Sequence, residues 1–267
     1  RRVGTSRHPY DDVMSAALDV SWVGHATAAI DVAGHRVITD PLLTTRVAHL
    51  RRSRPLPDDA VGDVDMILLS HVHLDHLHLP SLKRLRPSAH VLTPRGSGKL
   101  LTKAGFTDVT EVDPGDRLTG GPVDVRVVPA EHKHGRGPHS RVQAPPVGYV
   151  VEGAGHRVYF PGDTDLFDEM SDLGPIDVAL LPIWGWGPTL GVGHLDPERA
   201  AVATGIIRPG LVVPIHWGTY RPENGRRRKP AWFDTPPKDF EHHLDRIDER
   251  GRLHVLEPGD RLQLVTP

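Results

Sequence analysis

The chain reads as an α/β sandwich, with sheets inside and helices outside, on three observations. Strand-like apolar runs occur in both halves and alternate with helical patterns. Several of these runs end in polar residues of the kind that bind metals, which would collect those residues along one sheet edge. The length of 267 residues suits one large domain. We therefore read 1–267 as a single domain, with 1–17 as an N-terminal extension.

The elements follow in order. "LDVSWVGHATAAIDVAGHRVITDP" holds two alternating runs joined by "AGH" and reads as a hairpin ending at Asp40 and Pro41. "DVDMILLSH" is a nearly continuous apolar run, the pattern of a strand covered on both faces. It leads straight into "HVHLDHLHLP". "PSLKRLR" and "GSGKLLTKAGF" read as helices, the second ended by Gly105, with the strand "AHVLTP" between them. Further strands are "DVTEV", "VDVRVVPAEH", "VGYVVEG", "HRVYFPGD", "DVALLPI" and "LVVPIHW". "DPERAAVATGI" reads as a helix, because Asp196 is a good N-cap and Pro197 suits the first helical position.

Composition excludes several functions. A net charge of -2 argues against a stable nucleic-acid partner or bulk attraction to membranes, so a charged substrate must be met locally. No window approaches the roughly 18 apolar residues of a membrane span, and a cytoplasmic protein that can form homo-oligomers is the default. There is no cysteine, so any metal must be held by imidazole and carboxylate, which points to zinc, manganese or iron. The 18 histidines matter by position rather than number. His8, His49, His242 and His243 sit in polar stretches, and His78 and His90 read as surface or structural residues.

In "HVHLDH" a strict strand puts His71, His73 and Asp75 on one face, and His76 then requires a turn. A turn at a strand end can aim all four inward. Two imidazoles at alternate positions suit one divalent ion, and the carboxylate with the last imidazole suits a second beside it. Other strand ends must complete the shells. His132, Asp163 and His216 each follow an apolar run, although His134 competes with His132 and Asp165 with Asp163. The expected arrangement is His71, His73 and His132 on one ion, Asp75, His76 and His216 on the other, and Asp163 bridging both. Asp40 is expected to accept a hydrogen bond that orients a ligand histidine. His25 is expected to pack near the site. The clusters Arg51, Arg52, Arg54 and Arg226, Arg227, Arg228, Lys229 read as solvated loops.

These residues resemble the metallo-β-lactamase superfamily, whose H-x-H-x-D-H signature matches residues 71–76 throughout. "WVGHAT", "TDP", "FPGDTD", "GHLDPE" and "PIHWGT" stand in the order found in the branch of N-acyl-phosphatidylethanolamine phospholipase D and the ascorbate-6-phosphate lactonase type. The resemblance implies an αββα four-layer sandwich of two mixed β-sheets flanked by helices, with metals at one sheet edge. It favours His132 through "PAEH" and His216 through the Trp217-Gly218-Thr219 that follows.

The implied chemistry is that of a dinuclear hydrolase. Two divalent ions, zinc for preference, can hold a bridging water and make hydroxide available near neutral pH. Asp75 would ligate and orient it, and His194 in "GHLDPE" would protonate the leaving group. The expected substrate is a small molecule with an ester-type bond, either a phosphodiester or a phosphate-bearing lactone. Trp184 and Trp186 in "PIWGWGPTLGVGH" read either as a substrate wall or as core filling. The competing readings are a non-catalytic metal-stabilised binding or sensor protein and a di-iron oxidoreductase of the same fold.

Overall fold

The computed structural model describes residues 17–58, 62–121, 123–137, 140–223 and 230–265. Residues 1–16 of the expected extension, His8 and the 226–229 basic cluster lie outside them. In chain order the strands are β1 (Ala17–Gly24), β2 (Thr27–Val32), β3 (His35–Thr39), β4 (Arg46–Val47), β5 (Leu50–Arg52), β6 (Met66–Leu68), β7 (His90–Pro94) and β8 (Val109–Val112). They continue with β9 (Arg117–Leu118), β10 (Asp124–Pro129), β11 (Val147–Gly153), β12 (His156–Phe160), β13 (Val178–Pro182), β14 (Leu211–Ile215), β15 (Tyr220–Pro222) and β16 (Arg261–Val265). The α-helices are α1 (Leu79–Leu82), α2 (Gly98–Lys103), α3 (Pro197–Ile207) and α4 (Pro236–Asp245).

Two mixed sheets dominate. The first has the order β16-β1-β2-β3-β6-β7-β8 and the second β14-β13-β12-β11-β10-β9. In the first, β16 to β3 pair antiparallel and β3 to β8 parallel. The second repeats this plan, with β9 to β12 antiparallel and β12 to β14 parallel.

Strand alternation builds the layers. Leu18, Val20 and Trp22 of β1 and Ala28, Ile30 and Val32 of β2 point to one core shared with Tyr149, Val151 and Val158 of the second sheet. On β6 and β7, Leu68 and Leu92 join that inner core, whereas Ile67 and Val91 face outward onto Leu82 of α1 and Leu101 of α2. Ala200, Ala203 and Ile207 of α3, with Phe240 and Leu244 of α4, join the core cluster that includes β12, β13 and β14. The expected helix–sheet–sheet–helix layering is present. Asp196 caps α3 by accepting from Arg199 N at 2.8 Å, and Arg208 ends the helix in a left-handed conformation.

Three differences from the sequence reading matter. The "LDVSWVGHATAAIDV" stretch is two strands, because Gly24 (φ +121°) and His25 (φ 56°) turn the chain between them, so a three-stranded meander replaces the hairpin. The strand in "DVDMILLSH" and the helix in "PSLKRLR" are each shorter than the apolar pattern suggests, covering Met66–Leu68 and Leu79–Leu82. A third sheet, β15-β5-β4, was not anticipated; Arg52 within it is buried and Arg54 just beyond it is half-buried, so neither is a freely solvated loop residue. Arg52 is buried, donates to Leu42 O at 3.2 Å and to Val23 O, and lies over the Tyr220 ring at 5.6 Å. Arg54 donates to Gly218 O at 2.7 Å, pairs with Asp234 and Glu257, and covers Trp217 at 5.0 Å. Together they hold the 217–220 turn against β1. Arg51 is exposed and pairs with Glu223, as a solvated residue would.

Candidate metal centre

The residues that follow β6, β10, β12 and β14 meet the β1–β2 turn at one edge of the sandwich. His71, His76, His132, Asp163 and His216 are buried there, and His73 and Asp75 are half-buried. Gly162 explains how Asp163 reaches the cluster. Its φ of +65° is left-handed, and a Cβ at that position would lie 2.2 Å from Ser70 Cβ. Only glycine lets the "PGD" loop close against the strand end that carries His71.

His71, His76, His132 and His216 are each anchored through Nδ1 and present Nε2 inward. Asp40 accepts from Ser70 N at 2.7 Å, from the Ser70 hydroxyl, and from His76 Nδ1 at 2.6 Å. With its hydrogen given to Asp40, Ser70 Oγ accepts from His71 Nδ1 at 2.9 Å. His132 Nδ1 donates to Gly193 O at 2.5 Å and His216 Nδ1 to Trp184 O at 2.8 Å. These bonds fix the tautomers, so the Nε2 atoms of His71, His132 and His216 carry lone pairs toward the centre.

The inward atoms form two adjoining sets. In the first, His73 Nδ1 lies 3.0 Å from His71 Nε2 and 3.1 Å from His132 Nε2. In the second, His76 Nε2 lies 3.2 Å from His216 Nε2 and 3.2 Å from Asp163 Oδ2, and His216 Nε2 lies 3.1 Å from Asp163 Oδ1. Two nitrogens about 2.0–2.1 Å from one tetrahedral ion would be about 3.3 Å apart, close to these spacings. Asp163 faces both sets, its Oδ2 also standing 4.0 Å from His71 Nε2.

The donor chemistry fits a cation. Asp163 Oδ1 is buried without a hydrogen-bond donor although His216 Nε2 is 3.1 Å away. The two observations agree once the His216 proton is placed on Trp184 O, because two acceptors then face one another. Facing lone pairs in a buried site are costly unless a positive ion lies between them.

The electrostatics agree. Burial lowers His216 to about 3 and His132 to about 4, and it holds His71 well below the ordinary histidine value. All three are neutral near pH 7 and ready to ligate. Burial alone would raise Asp163, but His216, His76 and His71 outweigh it and keep the carboxyl well below its usual range. Asp75 is likewise held low against burial by His76 and His25. His76 differs. Burial lowers it, yet Asp163, Asp40 and Asp75 outweigh that and hold it well above the ordinary value.

The rivals fall outside the cluster. His134 is exposed, and Asp165 accepts from Arg199 Nε at 2.6 Å. His194 lies at the rim, its Nδ1 donating to Gly191 O at 3.0 Å and its Nε2 3.6 Å from Asp163 Oδ2. Trp184 packs against the core, whereas Trp186 is exposed and meets His49 edge-on at 5.2 Å. His78 bonds Ser81 Oγ at 2.7 Å and His90 bonds Thr110 Oγ1 at 2.9 Å, both away from the centre. Sequence reasoning missed Ser70 and the carbonyls of Trp184 and Gly193. It underrated His25, whose Nε2 lies 3.0 Å from Asp75 Oδ2. Among the described residues, four groups of side chains are capable of binding a metal: His71, His73 and His132; His25, Asp75, His76 and His216; Asp40, His71 and His76; and His132, Asp163 and His194.

Asp40 gives an early test of this anchoring. Asp40→Asn should weaken ion binding on the His76 side by roughly 10–100-fold, as for other groups that orient a ligand, and should leave the circular dichroism of the fold unchanged. A chelator-competition titration measures it, and an unchanged affinity would remove Asp40 from the account.

Comparison with known proteins places this geometry. The Beta-lactamase superfamily domain matches residues 35–217. An N-acyl-phosphatidylethanolamine-hydrolyzing phospholipase D from Caenorhabditis elegans is 31% identical over 79% of this chain and 67% of its own length. Mycobacterial relatives at 34% identity are longer still, the chain covering 60% of them. A UPF0173 metal-dependent hydrolase from Cupriavidus taiwanensis is 33% identical over 91% of this chain and 86% of its own length. The fold is shared with Igni18, a metallo hydrolase from Ignicoccus hospitalis, at a TM-score of 0.71 and 24% identity over 94% of this chain and 100% of that one. Among the described residues no helix is long and apolar enough to cross a membrane. The chain belongs to the metallo-β-lactamase superfamily and is similar over most of its length to metal-dependent hydrolases of that family.

Proposed function

We propose that the chain, read as one domain over 1–267, hydrolyses an ester-type bond of a small molecule at a two-ion centre, the bond being a phosphodiester or a phosphate-bearing lactone. The observation that carries this reading is Asp163, a buried carboxylate with one oxygen 3.1 Å from His216 and the other 3.2 Å from His76 and 4.0 Å from His71. His71, His73 and His132 would hold one ion, Asp75, His76 and His216 the other, and Asp163 both. Bound zinc, or manganese or iron in its place, supplies Lewis acidity and a water acidic enough to act as nucleophile near neutral pH.

The protein's own groups supply orientation and proton transfer. Asp75, kept ionised, accepts a hydrogen bond from the attacking water and aims it. His194 presents Nε2 to the centre while Gly191 O holds its Nδ1–H, so in its protonated form it can donate to the leaving oxygen from Nε2. The phospholipase D relative supports a phosphodiester target. A binding or sensor protein would hold the same ions without turnover.

Reporter substrates test this. Zinc- or manganese-loaded protein is expected to cleave an activated aryl phosphodiester or a lactone and to leave a β-lactam intact. Asp75→Asn should lower kcat on the order of 10²–10³-fold, the scale of losing one preorganised polar group at a reacting centre. Full loading with no turnover of any reporter would favour the sensor reading.

A further inference from the structure

His25 has a more specific place than packing requires. It occupies the β1–β2 turn in a left-handed backbone conformation (φ 56°) that residues with a side chain seldom adopt. Gly24 ahead of it (φ +121°) could not be replaced freely, since a Cβ there would lie 2.7 Å from Arg52 Nη2. The backbone of His25 is pinned on both sides. Its N–H donates to Thr219 Oγ1 at 2.8 Å, and its carbonyl accepts from Trp22 Nε1 at 3.0 Å and from His216 N at 2.9 Å.

The side chain is fixed as tightly. The ring is 2% exposed and lies against the His216 ring at 3.9 Å between centroids. Its Nε2 is 3.0 Å from Asp75 Oδ2. His76 and His216 each have Asp163 within 3.2 Å, whereas the carboxylate against His25 Nε2 is Asp75. The His25 nitrogen thus holds Asp75 at the edge of the second donor set, within 4.8 Å of the ligand atoms of His76 and His216. It joins residues contributed by the two halves of the chain, Asp75 after β6 and His216 after β14.

We infer that His25 is the positioning residue of Asp75: its Nε2–H donates to Oδ2, the oxygen that also stands 3.9 Å from His76 Nε2, and fixes the carboxylate in one orientation beside the second donor set. This rests on the two-ion reading above. Leucine at position 25 removes the donor at similar bulk, and glutamine keeps an N–H at similar reach. Neither relieves the left-handed backbone, so the pair separates the hydrogen bond from the turn.

The test is a Co²⁺ titration of the full chain, read by visible d–d absorption under chelator competition. The unmutated protein is expected to take up two ions in two steps. His25→Leu should keep the first step, which serves as its folding control, and weaken the second by at least about tenfold, while His25→Gln should return to within about threefold of the unmutated value. An unchanged second step in His25→Leu would overturn the inference, as would a His25→Gln as weak as His25→Leu, which would make the ring itself a ligand or a packing element. Failure of the unmutated protein to take two ions would appear before any variant is compared. It would overturn the two-ion reading and this inference together.

Discussion

Asp163→Asn is expected to lower hydrolysis on the order of 10³-fold and to reduce bound ions from two per chain to one or none. The asparagine keeps the shape of the side chain and removes the charge that faces both donor sets. His216 Nε2 and His76 Nε2 then meet an uncharged amide where they met a carboxylate at 3.1 and 3.2 Å. The fold should survive, because the ring anchors do not pass through Asp163: His76 is held by Asp40, His132 by Gly193 O and His216 by Trp184 O. Elemental analysis with circular dichroism separates the two outcomes. A variant that retains both ions and near-normal turnover would show that Asp163 is not shared between them.

The second large effect is in pH. In the metal-free protein His76 is held above the ordinary histidine value, while His71, His73, His132 and His216 are held below it. A histidine raised on folding stabilises below its unfolded value of about 6.5, and that contribution is lost as pH climbs through the folded value. The four lowered histidines act oppositely: as pH falls below about 6.5 the unfolded chain takes up protons that the folded chain refuses. Metal-free stability should therefore peak near pH 6.5. Above the peak it should decline by about 1.4 kcal/mol per pH unit for the one proton on His76, until that proton is lost. Asp75 and Asp163, held low, add stability that disappears only in stronger acid, as pH falls through their folded values. An ion on the His76 side must displace the His76 proton, so its affinity should rise about tenfold per pH unit over the same range above neutrality. The His71, His73 and His132 set has no such proton to lose and should bind with little pH dependence there. Denaturant midpoints and ion affinities across pH 5–9 would check both; a metal-free midpoint that keeps rising through pH 8 would contradict the assignment of that proton to His76.

Much of the fold and the site was legible because their signals are local. Buried strands read as apolar runs, and the residues after each run are placed by a rigid scaffold, which is why His71, His132, Asp163 and His216 were candidates before any coordinates, although the strand ends alone left His134 and Asp165 as rivals and the family resemblance favoured His132 and His216. The α3 boundaries were legible for the same reason, Asp196 and Pro197 being short-range devices. What escaped depends on distant partners. β4, β5 and β15 are two or three residues long and rich in arginine, so periodicity does not mark them. β16 pairs with β1 across nearly the whole chain. The burial of Arg52 comes from Tyr220 and the carbonyls of Val23 and Leu42, none of which a local window contains. The anchors of the imidazoles escaped likewise, because a backbone carbonyl such as Gly193 O or Trp184 O has no letter in the sequence. His25 was underrated because "WVGHATAAI" looks like one strand until Gly24 and His25 both take positive φ.

The most direct test of the paired-ion centre is the number of transition-metal ions per chain in protein purified without chelator and then loaded to saturation, measured by elemental analysis against protein concentration. Two ions per chain are expected. One ion or none at saturation would contradict the paired-ion centre.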